Sequence, residues 1–293
     1  MYTHILENEK LRITVSDRGA ELISVFDKSV KKERIWSADP AIWNRHAPIL
    51  FPFVGKVTDG KYRIGDMEYS MKTQHGFARD MDFVCLEDTG SRVSHRLSAS
   101  DVTKKIYPYD FSLTVQHSLN SEHPGELHIR WIVENLDDSL MFYAIGGHPG
   151  FLPPEGLEKE GCGILFPEKE ELTYYSANKA GYALPGDKHR LVLDRGLAKW
   201  QEDIPDTWIF EGQDVKCVGL SGPDRSPFVL VHCAEFPILA VWANPIGPFI
   251  CLEPWFGRTD DEGFQGTLED KAGMQSLKGH EKKEIRWSID FCV

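Results

Sequence analysis

The sequence has no CxxC pair, no apolar stretch of bilayer length, little helical periodicity and no excess of positive charge. Each absence removes a class of protein. Cys85, Cys162, Cys217, Cys233, Cys251 and Cys292 are too scattered for a zinc knuckle or a thioredoxin-type motif. The opening MYTHILENEKLRITV lacks a basic segment followed by an apolar one and a small-residue cleavage site, so no export leader is predicted. No run approaches the ~18 apolar residues that cross a bilayer. These absences together predict a cytoplasmic protein with reduced thiols and no membrane partner. A formal net charge of -12 would repel a phosphate backbone, so nucleic acid is not an expected partner either.

Local chemical motifs are also missing. There is no HExxH, no His-x-His pair, no GxSxG elbow, no GxGxxG and no GxxxxGK[ST] loop. Neither a metal nor a nucleotide cofactor is therefore expected, and a serine nucleophile is unsupported. Any catalysis would have to be done by side chains alone.

What is present is a chain of 293 residues, 41% of them hydrophobic, enough to fill a substantial core. Its dominant period is two. Leu11, Ile13 and Val15 alternate with polar residues, as do Phe111, Leu113 and Val115. The same holds for Leu127, Ile129, Trp131 and Val133, and for Ile285, Trp287, Ile289 and Phe291. Alternation of this kind buries one face of an antiparallel strand. The segments 228–233 and 238–242 are uniformly apolar and predict strands buried on both faces. Turn chemistry separates the runs, for example Asp59-Gly60, Pro124-Gly125 and Ser221-Gly222-Pro223-Asp224. Two short helices are expected, over 40–45 and 197–202. No linker or internal repeat divides the chain, so residues 1–293 read as one all-β sandwich or barrel domain with few short helices.

Three segments place catalytic residue types among apolar or Gly-rich neighbours: 74–80 (QHGFARD), 145–151 (IGGHPGF) and 249–257 (FICLEPWFG). In a strand over 249–253, Phe249, Cys251 and Glu253 share one face, with Pro254 ending the strand. A carboxylate there is costly to bury unless it is paired or used. Trp255 and Phe256 beside it suit a sugar cleft, because aromatic faces cover the C–H face of a pyranose. A strand-end ion pair is the plainer alternative for Glu253. His148 sits among Gly146, Gly147 and Gly150, a loop whose backbone can approach a ligand; a turn histidine is the plainer alternative. His75 by itself is one of 11 histidines, and His95 and His117 read as ordinary strand residues.

With these segments in view, the sequence resembles the aldose 1-epimerase (galactose mutarotase-like) family over almost its whole length. The resemblance rests on 15–22 (VSDRGAEL), 43–52 (WNRHAPILFP), 54–56 (VGK), the three segments above and 269–274 (EDKAGM). It is strongest to the family's shorter bacterial members. The resemblance implies a large antiparallel β-supersandwich and an isomerase that interconverts the α and β anomers of an aldose without a cofactor. It implies Glu253 as general base, His148 as general acid and His75 as an assisting histidine. Asp206 corresponds to an aspartate that holds sugar hydroxyls. Arg79, Lys56, Arg45 and Trp255 are the remaining expected substrate contacts. Lys56 stands where a sugar-binding arginine is often found, and an ammonium cannot reproduce its planar fork. Gly147 replaces an asparagine before the acid histidine. Both departures bear on which sugar is used.

Three alternatives remain at this stage. A hexose-phosphate mutarotase would need a cluster of cations in the cleft, for which Arg45, Lys56 and Arg79 are candidates. A carbohydrate-binding or sensory protein on the same scaffold would bind sugar without turnover. A glycosidase would need two carboxylates, and only Glu253 stands out. The expected partner is a small sugar, with the protein a monomer or homodimer.

Overall fold

The computed structural model describes residues 2–199 and 207–293. Three of the four period-two runs form the middle of a nine-stranded antiparallel sheet, and the fourth, Leu11, Ile13 and Val15, lies in a separate N-terminal sheet. The spatial order of the nine strands is Leu197–Lys199, Gly163–Leu165, Cys217–Ser221, Pro227–His232, Lys282–Asp290, Glu126–Asn135, Phe111–Leu119, Arg92–Ser98 and Val84–Asp88. Register puts the alternating residues side by side. Val115 faces Trp131 across one ladder, and Trp131 faces Ile285 across the next. The apolar faces of these three strands are buried.

A second sheet has the order Thr207–Glu211, Ile238–Trp242, Ile250–Phe256, Ile145–Gly147 and Ile49–Leu50, with Gly150–Phe151 also paired to Ile250–Phe256. It packs face to face on the first. A Cβ built on Gly147 would lie 2.8 Å from Trp287 Cζ2, so nothing larger than glycine fits between the sheets there. One continuous apolar core, running from Leu6 to Phe291, fills the space between the layers. The N-terminal strands Thr3–Glu7, Leu11–Ser16, Leu22–Asp27 and Lys32–Glu33 form a further antiparallel sheet. Among the described residues, the α-helical content is the single turn Asp101–Lys104, capped where the Thr103 N–H donates to Ser100 Oγ. None of their helices is long and apolar enough to cross a membrane.

Two local expectations are overturned. Residues 40–42 form only a single turn, in which the Ile42 and Trp43 N–H groups donate to the Asp39 carbonyl (3.0 and 2.9 Å) and the Ala41 N–H donates to Asp39 Oδ1 (2.9 Å). The chain leaves it at Trp43, whose ring packs against His148 and Phe249 and whose carbonyl accepts from Trp36 Nε1 (2.8 Å). Leu197–Lys199 is a strand paired with Gly163–Leu165, since an available sheet edge outweighs helical propensity; the rest of the 197–202 helix lies outside the described residues.

Pro254 does not end its strand, which runs on to Phe256. Proline is tolerated where no ladder donor is needed. On one side Ile250 and Cys251 pair with Gly150–Phe151, and Trp255 and Phe256 pair with Ile145–Gly147. Residues 252–254 have no partner on that side, because the neighbouring strand is interrupted at 148–149.

Candidate active site

That interruption creates the site. His148 lies in the gap beside Glu253, and its Nε2 approaches Glu253 Oε2 to 3.2 Å. Both side chains are buried. Glu253 Oε2, His148 Nδ1 and Trp255 Nε1 have no hydrogen-bond partner within the protein, and neither has Arg79 Nε. Orphaned polar atoms are rare in interiors; Arg79 Nε lies 3.8 Å from Asp80 Oδ2, but those of Glu253, His148 and Trp255 belong to neighbouring residues of one cavity lining, as a site for a polar ligand would have them. Burial pushes the Glu253 carboxyl well above the usual range. Burial, with the Arg79 charge adding to it, pulls His148 down to about 3. Both shifts favour the uncharged forms. Burial thus weakens both charges of the pair and draws the two proton affinities away from their ordinary order.

His75 is placed by unusual backbone. His75 (φ 66°) and Gly76 (φ 69°) are both left-handed. A Cβ on Gly76 would lie 2.2 Å from the Phe51 carbonyl oxygen, so only glycine fits. The His75 N–H donates to the Gly55 carbonyl (2.7 Å), and the Gly55 N–H donates to His75 Nδ1 (3.1 Å). The second bond makes Nδ1 the acceptor and leaves Nε2 as the N–H of a neutral ring. Burial, then His148 and Arg79, lowers the His75 value well below the ordinary one, which keeps the ring neutral. Its ring meets His148 edge to face, 5.4 Å between centroids.

Lys56, His75, Arg79, His148, Glu253 and Trp255 line one cavity of about 300 Å³. Arg45 is turned away, with Nη2 2.6 Å from Asp80 Oδ1. Asp206 lies outside the described residues, although its neighbour Thr207 lines the cavity. Lys56 Nζ donates to the Ala180 carbonyl (2.6 Å) and Arg79 Nη2 to that of Gln74 (2.8 Å).

The aldose 1-epimerase family model matches residues 2–181, which include His75 and His148. The chain belongs to the aldose 1-epimerase family. It is 29% identical over 280 residues to the chromosomal protein LacX of Lactococcus lactis, covering 91% of each chain. It superposes on a galactose mutarotase related enzyme from Lactobacillus acidophilus with a TM-score of 0.92, 28% identity, and coverage of 99% of this chain and 97% of the other. A galactose mutarotase-like protein from Lactobacillus casei gives a TM-score of 0.83 at 29% identity, covering 99% of both chains. The fold is accordingly the galactose mutarotase-like β-sandwich.

In this aldose 1-epimerase family chain, two aromatic walls went unmarked as sugar contacts in the sequence. Trp43 packs against His148 (4.9 Å, 32°) and Trp242 meets His148 edge-on (5.5 Å, 78°); both line the cavity. Nothing in their local sequence separates them from core tryptophans; the signal is their partial exposure inside a concavity. Lys179, Asn178 and Asn244 also line it. His148, Cys251 and Glu253 bring ligand-type atoms within 4.8 Å of one another, a set that suits a thiophilic cation as well as a proton.

The wall bearing Lys56 is held from behind. The Lys56 N–H donates to Thr259 Oγ1 (3.0 Å) and the Asp260 N–H to the Lys56 carbonyl (3.1 Å). Asp260 in turn accepts from the Thr58 N–H (2.7 Å) and from the buried Lys271 ammonium.

Proposed function

We propose that the protein is an aldose 1-epimerase in which Glu253 and His148 move protons at the two oxygens of one hemiacetal carbon. The observation that carries this reading is the 3.2 Å approach of the two groups inside a Trp-walled cavity. O1 and O5 of a pyranose share C1, so the groups serving them must be near neighbours. Carboxylate Glu253 takes the O1 proton while imidazolium His148 gives a proton to O5. The C1–O5 bond breaks to the open aldehyde, leaving Glu253 protonated and His148 neutral. Rotation about C1–C2 presents the other carbonyl face. Closure then returns each proton along the path by which it came. A neutral carboxyl with a neutral imidazole, the forms that burial favours, has the same proton count as the ion pair that opens the ring. The two differ only in where one proton sits.

This proton count fixes the pH profile. Activity needs one proton on the pair. Because the imidazole value is lowered to about 3, a second proton is added only in strong acid. Because burial raises the carboxyl value, the proton on the pair is held to higher pH than on an ordinary carboxyl. The expected kcat/KM is therefore flat through the neutral range and falls in strong acid. A steep change near the ordinary histidine value of 6.5 would contradict the assignment.

A sugar bearing an anionic group is favoured by a specific observation. Lys56, Arg79 and Lys179 line the cavity, and Glu253 is the sole carboxylate among its described lining residues, in a protein of net charge -12. The phosphate reading thus rests on Lys56, Arg79 and Lys179 rather than on Arg45. The same shortage of carboxylates disfavours glycoside hydrolysis. Turnover of glucose and galactose is to be compared with that of their 6-phosphates. The phosphates should be favoured by about tenfold or more in kcat/KM, since one hydrogen bond to a charged group contributes ~1.5–3 kcal/mol. Equal rates would remove the anionic preference and leave the epimerase reading intact. Saturable binding with no acceleration for any sugar would instead indicate a carbohydrate-binding protein.

A further inference from the structure

A second cluster of ligand-type side chains shares no residue with the sugar pocket. His4 is on the strand Thr3–Glu7, Cys85 and Asp88 on Val84–Asp88, His95 on Arg92–Ser98, and Asp17 just beyond Leu11–Ser16. Ligand atoms of His4, Cys85 and His95 all lie within 4.8 Å of one another. Cys85 Sγ is 4.0 Å from His4 Nδ1. Carboxylates close the ring of donors. Asp17 Oδ1 is 2.9 Å from His4 Nε2 and 3.2 Å from His95 Nε2, and Asp88 Oδ2 is 2.8 Å from His4 Nδ1. His95 is fully buried, and its Nδ1 has no partner in the protein.

We propose that His4, Cys85 and His95, with one flanking carboxylate, form a structural site for a divalent transition-metal ion of the zinc class. Two imidazoles, one thiolate and one carboxylate are the donor types that such a cation takes tetrahedrally. Metal–ligand bonds of about 2.0–2.3 Å place tetrahedral donors roughly 3.3–3.8 Å apart. Here Cys85 Sγ is 4.0 Å from His4 Nδ1, the histidine–carboxylate separations are 2.8–3.2 Å, and the three ligand atoms all lie within 4.8 Å of one another, so side-chain rotations draw the set together. Coordination displaces the thiol proton and the ring proton from the donor nitrogens, and these leave to solvent. His4 and the histidine–cysteine pair belong to different sheets. The ion would therefore fasten the N-terminal sheet to the edge of the nine-stranded one. The spacing 4, 85, 95 carries no local motif, which is why the sequence predicts no metal here.

The test uses the full chain stripped with chelator and titrated with Co²⁺ or Zn²⁺. One equivalent of Co²⁺ should give a near-ultraviolet thiolate-to-cobalt charge-transfer band, and Zn²⁺ should raise Tm. Cys85→Ser should abolish the band, and His4→Ala should weaken binding by more than about 100-fold, since even an outer-shell partner is worth 10–100-fold. Circular dichroism of both variants establishes that they are folded. Cys251→Ser, which alters the ligand set in the sugar pocket, should leave the band unchanged. Absence of any bound cation would overturn the proposal, as would a band that follows Cys251 instead of Cys85.

Discussion

Glu253→Gln is expected to lower kcat for anomer exchange by about 10²–10⁴-fold while the sugar dissociation constant changes little. The amide keeps the size and shape of the carboxyl at a fully buried position, so neither a cavity nor an unpaired charge is created. What it loses is the ability to take the O1 proton. His148 stays 3.2 Å away but has no partner to complete the transfer. Because the two groups act as a unit, adding His148→Asn should cost little beyond the single change. Polarimetry on a freshly dissolved single anomer reads the rate, and calorimetric titration reads binding. Near-normal turnover in Glu253→Gln would remove Glu253 from the reaction.

The largest stability effect is expected at Asp260. Its carboxylate contacts the Lys271 ammonium with both side chains almost fully buried. Removing one partner of such a pair typically destabilises by about 3–5 kcal/mol, whereas replacing both by apolar groups is often neutral. Asp260→Ala should therefore unfold at markedly lower urea concentration with an unchanged slope, and adding Lys271→Met should restore most of the loss. Burial, aided by the Arg258 charge, lowers Lys271 to about 7 from its ordinary 10.5. Without the Asp260 carboxylate it falls further. The unfolded chain then holds a proton the folded one lacks, so the deficit is largest in acid and shrinks as pH rises toward 10.5. The Asp260 carboxylate also accepts from the Thr58 N–H (2.7 Å) and Oγ1 (3.0 Å), close behind the Lys56 wall of the cavity, so KM should rise in the single variant. A stable Asp260→Ala protein, or a double variant no better than the single, would refute this account.

The strands Phe111–Leu119, Glu126–Asn135 and Lys282–Asp290 in the middle of the nine-stranded sheet were legible because one face of each is buried, and burial on one face writes itself into alternation. Glu253 and His148 were legible for a related reason: each is a titratable group among apolar or Gly-rich residues, where it is costly unless used. The continuation of the strand through Pro254 was not legible. It depends on the break in the neighbouring strand at 148–149, a long-range fact. Trp43 and Trp242 were hidden because local sequence does not distinguish a half-exposed cleft tryptophan from a core one. The end of the turn at 40–42 escaped because Trp43 leaves it to pack against His148 and Phe249, contacts far away in sequence. The His4 cluster escaped because its members meet only when two sheets dock.

The most direct test of the Glu253–His148 mechanism follows both anomers of an aldose carrying isotopically labelled oxygen at C1, by exchange NMR with catalytic amounts of the wild-type protein. Ring opening breaks C1–O5 and leaves O1 on the sugar. The mechanism predicts exchange of the anomeric protons well above the spontaneous rate, with the label kept beyond spontaneous loss. Exchange no faster than without protein, or label lost in step with exchange, would contradict it.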